Sequence, residues 1–126
     1  MHLITPLNKV LGLGSAKGGV EHWWIQRLSA AALVPLGLWF AISLTGFETL
    51  SYAAVTTWIG NPITAVLLLL SAVTVVYHSH LGVQVVVEDY VHGGAKIVVL
   101  VLSAFAHFFL LIAAVFSILK VALGAL

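Results

Sequence analysis

Three stretches of this chain contain no Asp, Glu, Lys or Arg: Leu28–Phe47 with 20 residues, Ile63–Val87 with 25 and Ile97–Leu119 with 23. A charge at the bilayer centre costs about 2.5–3.5 kcal/mol on insertion scales, while Leu, Ile, Phe and Val each gain a few tenths. Gaps of this length are therefore where a chain can cross. Wound as a helix at about 1.5 Å per residue, each stretch spans a hydrocarbon core of about 30 Å. Backbone groups find no water there, so a segment must bond to itself, and a helix does so. These features predict an all-α membrane protein with three transmembrane helices at about 23–47, 63–88 and 96–122, which together form a membrane anchor over residues 22–126. Residues 1–21 precede it as a flexible cytoplasmic segment, in which Gly12, Gly14, Gly18 and Gly19 supply the flexibility.

Composition carries the same message. The 126 residues are 62% hydrophobic and 7% charged, with a mean hydropathy of +1.17, against roughly a quarter charged in a soluble domain. A net charge of +1 offers no electrostatic footprint for nucleic acid. Without cysteine, the chain can form no disulfide, thiolate iron–sulfur ligand or thioether-linked haem. No internal repeat is evident, and the few loop residues leave no room for a soluble catalytic domain.

Lys9, Lys17 and Arg27 precede the first span, Lys96 lies between the second and third, and Lys120 ends the third. The loop from Glu48 to Pro62 has no basic residue. This asymmetry predicts a cytoplasmic N-terminus and an outward C-terminus. Residues Met1 to Glu21 lack the basic start and apolar core of a secretory signal, so the first span is expected to serve as the insertion signal. Gly60-Asn61-Pro62 opens the second span, and Pro35 predicts a kink in the first helix without dividing it.

The informative residues are the polar exceptions, because ionisable groups at membrane depth face a partner, a ligand or water. His78 lies roughly 13 Å above the cytoplasmic end of the second span. A neutral imidazole with one free nitrogen is a strong iron ligand; the competing reading is a hydrogen bond to a Ser or Thr of another helix. His80 is about 200° further round and faces away, so the two cannot ligate one metal. It is expected to make a polar contact with a neighbouring helix or to edge a second site. Gly82 shares the face of His78, leaving room for a flat macrocycle or for close helix packing.

Asp89 follows His78 by 11 positions, which brings it within about 20° of the same face and roughly 16 Å lower. A metal above a proton-handling carboxyl suits electron transfer coupled to protonation, while the plainer reading is that Glu88-Asp89 ends the span at water. Tyr90 offers a phenolic O–H for a quinone carbonyl, or is an interfacial tyrosine. Arg27 is a headgroup anchor or a clamp for a carboxylate such as a haem propionate. Glu21, His22 and His92 lie in the same layer, with solvated roles expected. His107 lies near the depth of His78, which makes an intrachain pair of histidines around one haem a rival arrangement.

The run His78-Ser-His-Leu-Gly82-Val-Gln-Val-Val-Val-Glu-Asp89-Tyr90 resembles the signature of the hydrophobic membrane-anchor D subunit of succinate dehydrogenase, respiratory complex II: a histidine, a glycine four residues on, and Asp-Tyr at plus eleven and plus twelve. Ser15 to Ala30, around Trp23-Trp24 and Arg27, is similar to the stretch leading into the first helix of bacterial members. With the three-span layout, the resemblance covers nearly the whole chain.

The resemblance implies a haem b shared with a partner C subunit of the cytochrome b556 type, with His78 as one axial ligand and the partner supplying the other. It implies that Tyr90 bonds a ubiquinone carbonyl, that Asp89 supports this contact or proton delivery, and that Arg27 approaches a haem propionate. FAD and iron–sulfur clusters would reside in a flavoprotein and an iron–sulfur subunit, with no catalytic residue in this chain. The expected location is a bacterial inner membrane, since no transit peptide is evident, with the mitochondrial inner membrane as the lesser option. His80 and His107 exceed what the signature requires. Two other classes stay open: a passive scaffold for a soluble enzyme without a cofactor, and a small proton-conducting subunit using Asp89 and the histidines.

Overall fold

The computed structural model describes residues 17–124. They form four helices: α1 (Lys17–Thr45), α2 (Tyr52–Gly60), α3 (Pro62–Tyr90) and α4 (Gly94–Ala122). Three are long and apolar enough to cross a membrane, over Gly19–Thr45, Pro62–Tyr90 and Gly94–Ala122, in agreement with the three spans expected. There is no strand among the described residues.

The span ends differ from expectation by a few residues, and two differences are larger. Helix α1 begins at Lys17 and ends at Thr45, so residues 17–21, with Gly18 and Gly19, form its first turns and not a segment ahead of it. Glycine costs only about 1 kcal/mol in a helix, so Gly18 and Gly19 do not prevent so early a start. Lys9, Gly12 and Gly14 lie outside the described residues. The helix runs undivided through Pro35.

The second difference is α2, inside what the sequence presented as a loop. Ser51 caps it, its Oγ accepting from the Ala54 N–H at 3.2 Å. Asn61 then serves two helices at once. Its N–H donates to the Trp58 carbonyl at 3.3 Å, closing α2. Its Oδ1 accepts from the N–H groups of Ile63 at 3.0 Å and Thr64 at 3.3 Å, opening α3. Pro62 occupies the first turn, where a missing N–H leaves no bond unmade. Trp58 of α2 stacks on Trp39 of α1 at 5.9 Å and meets Phe47 edge-on at 5.5 Å, an aromatic cluster suited to the headgroup layer.

Helix α3 packs against α1 on one side and α4 on the other, while α1 and α4 do not pack together. The three spans thus form a row and not a closed bundle. Little is enclosed: among the described residues Leu36, Ala65, Leu81 and Val87 are the buried apolar ones, with Ser29 and Thr64 the buried polar ones. Several hydroxyls within the spans return to their own backbone, as Ser71 does to the Leu67 carbonyl at 2.7 Å and Ser117 to that of Ala113 at 2.7 Å.

At the other end of α3, Lys96 Nζ donates to the Glu88 carbonyl at 3.2 Å and ties the turn into α4. Gly93 takes φ +68° there, a backbone region that side chains rarely enter.

Candidate functional site

The row order separates the histidines. His78 faces α1, where its Nδ1 lies 2.9 Å from the Oγ of Ser29. Ser29 is buried, and its Oγ also lies 3.0 Å from the Gln26 carbonyl. This is the hydrogen bond to a Ser of another helix weighed above as the alternative to iron ligation. The two readings are compatible, because only Nδ1 is used. Nε2 of His78 bonds no described residue and is not among the buried unpartnered nitrogens.

His80 faces the opposite neighbour. Its ring meets that of His107 on α4 at 5.2 Å and 60°, and its Nδ1 is buried without a hydrogen-bond partner. The expected polar contact is therefore a ring-on-ring contact. His107 has both nitrogens engaged: Nδ1 lies 2.8 Å from the Ser103 carbonyl, so it carries the proton, and Nε2 lies 3.2 Å from the Ser79 hydroxyl. With α3 between α1 and α4, His78 and His107 are not brought to one site. The intrachain two-histidine arrangement is absent for that reason.

Helix α3 continues through Tyr90, the condition for Asp89 to share the face of His78. Both Asp89 and Tyr90 are exposed, Tyr90 at 79%, and neither side chain bonds a described residue. The adjacent carboxylate differs: Glu88 accepts from Gln84 Nε2 at 2.8 Å. Of the two acids, Asp89 is the free one. Arg27 is exposed, its guanidinium 5.3 Å from the centre of the Trp23 ring, a cation–π contact that leaves its donors available. It lies about 200° from Ser29 around α1.

Glu21 and His92 are exposed, as expected of solvated groups. His22 is not: its Nε2 is buried and unpartnered, as is Oε1 of Gln26. His22, Gln26 and Ser29 form one stripe of α1 by helical spacing. Sequence reasoning passed over Gln26 and Ser29, although two polar residues three apart at the head of an apolar span were the available signal.

A Cβ added at Gly82 would meet only Gln26 Nε2, at 3.8 Å. That is ordinary contact, so the packing of α1 on α3 does not itself demand glycine. Among the described residues no cluster of three or more His, Cys, Asp or Glu could hold a bare metal ion. An axial position on a macrocycle needs only one imidazole from each side, and His78 with its open Nε2 beside the bare Gly82 fits that requirement. Concave spaces lie elsewhere: about 280 Å³ beside His80 and His107, and about 380 Å³ beside Ser29 and Tyr77, neither lined by His78.

Residues 1–119 match the succinate dehydrogenase/fumarate reductase transmembrane subunit family. The chain belongs to this family. A succinate dehydrogenase hydrophobic membrane anchor subunit of Paracoccus denitrificans is 30% identical over 126 residues, covering 100% of this chain and 98% of that protein. The subunit of the same name from Rickettsia bellii is 36% identical over 83 residues, 66% of each chain. A succinate dehydrogenase membrane anchor subunit of Reclinomonas americana is 28% identical over 88 residues, 68% of this chain and 73% of its own. No solved structure matches. The three long spans accord with a transmembrane subunit.

Proposed function

We propose that this chain is the membrane-anchor subunit of a succinate:ubiquinone oxidoreductase in a bacterial inner membrane. It supplies one axial ligand, His78 Nε2, to a haem b shared with a C subunit of the cytochrome b556 type. It presents Tyr90 and Asp89 to ubiquinone. A flavoprotein and an iron–sulfur subunit complete the enzyme and carry out succinate oxidation.

The observation that carries this reading is the state of His78. One ring nitrogen is held by a buried serine and the other is open, on the helix stripe that ends in an unengaged carboxylate. The haem, when bound, supplies a one-electron store at the depth of His78. The chain's own residues do the rest. Tyr90 donates its O–H to a quinone carbonyl, polarising it toward reduction. Asp89, free of Glu88's bond to Gln84, relays protons from the water edge to the reduced oxygen. Arg27, with its donors free above Trp23, offers charge-assisted bonds to a propionate.

The test is the absorption spectrum of the purified complex, reduced with succinate and reoxidised with ubiquinone. His78→Ala is expected to lose six-coordinate low-spin haem, while His80→Ala keeps it; the reverse pattern overturns the assignment. A complex with no Soret band at all would instead favour the passive scaffold. Proton flux through liposomes in the absence of quinone would favour the conducting subunit.

A further inference from the structure

We propose that Ser29 is a positioning residue that fixes the protonation pattern of the His78 imidazole, keeping its proton on Nδ1 and its lone pair on Nε2. The inference rests on the reading of His78 as a haem ligand and adds what prepares it for that role.

The argument is a count of hydrogens at membrane depth. Ser29 has one hydroxyl proton and two acceptors within reach, the Gln26 carbonyl at 3.0 Å and His78 Nδ1 at 2.9 Å. Neutral imidazole carries one proton, on either nitrogen. Suppose Ser29 donates to Nδ1. The imidazole proton then sits on Nε2, which has no partner among the described residues, and a donor is left unused. Suppose instead that Ser29 donates to the Gln26 carbonyl and accepts from Nδ1–H. Both protons are then bonded, and only a lone pair on Nε2 is left over.

At membrane depth no water is at hand for an unpartnered N–H, and a donor left without a bond there costs on the order of 1–3 kcal/mol, so the second arrangement prevails. That arrangement is also the one that can bind iron. The nitrogen opposite a metal ligand ordinarily donates to a carboxylate, a carbonyl or water, which orients the ring and raises its basicity. Here a hydroxyl anchored to backbone takes that role. Ser29 is 9% exposed, so water does not readily replace it.

Removing the acceptor should act on the ligand bond and not on the fold. Loss of such a partner typically weakens metal binding about 10–100-fold. It also makes the imidazole a poorer electron donor, so the oxidised haem is less stabilised and the midpoint potential moves positive.

The decisive pair is Ser29→Thr and Ser29→Val in the whole complex, since these side chains share a shape and differ in the hydroxyl. Three readouts apply: resistance of the haem to extraction, midpoint potential in a redox titration, and the low-spin electron paramagnetic resonance signal. Ser29→Thr is expected to match the unsubstituted complex. Ser29→Val is expected to release haem about 10–100-fold more readily and to titrate at higher potential. Equal behaviour of the two variants, whether both normal or both impaired, overturns the proposal, because the hydroxyl would then make no difference. His78→Ala, run alongside, separates the two readings. If it leaves axial ligation intact, the haem assignment itself fails. If it abolishes ligation while Ser29→Val stays normal, only the role of Ser29 fails.

Discussion

Replacing Tyr90 by Phe removes one hydroxyl and nothing else. The side chain is 79% exposed and bonds no described residue, so the chain itself loses no hydrogen bond and its assembly should be unaffected. A neutral hydrogen bond contributes a net of about 0.5–1.5 kcal/mol, and about 1.4 kcal/mol corresponds to tenfold. The variant should therefore show a fall in kcat/KM for ubiquinone of about 2- to 13-fold. If the bond is equally strong in bound quinone and in the transition state, the loss appears in KM. If it strengthens as charge develops on the quinone oxygen, kcat falls. The assay compares succinate-driven ubiquinone reduction with succinate oxidation by a water-soluble artificial acceptor, which bypasses this chain. The second activity should be unchanged. Unaltered kcat/KM for ubiquinone would refute the role of Tyr90, and equal loss of both activities would trace the effect to assembly.

Two further outcomes are expected. In Gly82→Ala the new methyl meets only Gln26 Nε2 at ordinary contact distance, so assembly and thermal stability are retained or raised by up to about 1 kcal/mol. Haem content measured per complex should nevertheless fall, and full haem content would show that no macrocycle lies over this position. In His107→Ala the low-spin spectrum should persist, since that ring is bonded to Ser79 and Ser103 on the far side of α3. A five-coordinate spectrum would move the second ligand into this chain.

The spans were legible because exclusion of charge from hydrocarbon acts residue by residue and needs no knowledge of partners. The same regularity made the vertical order of His78, Gly82, Asp89 and Tyr90 readable from steps of about 100° along one helix. Helix α2 was missed because the search was for segments long enough to cross, although Ser51 opens it with a capping side chain and Asn61 closes it through its backbone N–H. A hydrogen bond from His78 to a Ser or Thr of another helix was among the legible readings, but which residue it touches was not. Helix α1 is apolar nearly all the way round, so the pattern does not say which stripe turns toward α3. Only the assembled pair brings Ser29 to His78 and leaves His22 and Gln26 with unpartnered buried atoms. The N–H and C=O inventory of a single helix cannot supply such a contact, since it depends on how two rods rotate against each other.

The single-file arrangement of α1, α3 and α4 bears on how such a subunit is made in the cell. Among the described residues no side chain is sealed to below 2% exposure, so intramolecular packing alone does little to distinguish the correct rotation of each rod from its competitors. Alone in the bilayer, the polypeptide would be a substrate for quality-control proteases. Its lifetime should therefore track the supply of whatever protein lies against that file, and synthesis of the components in matched amounts becomes a structural requirement.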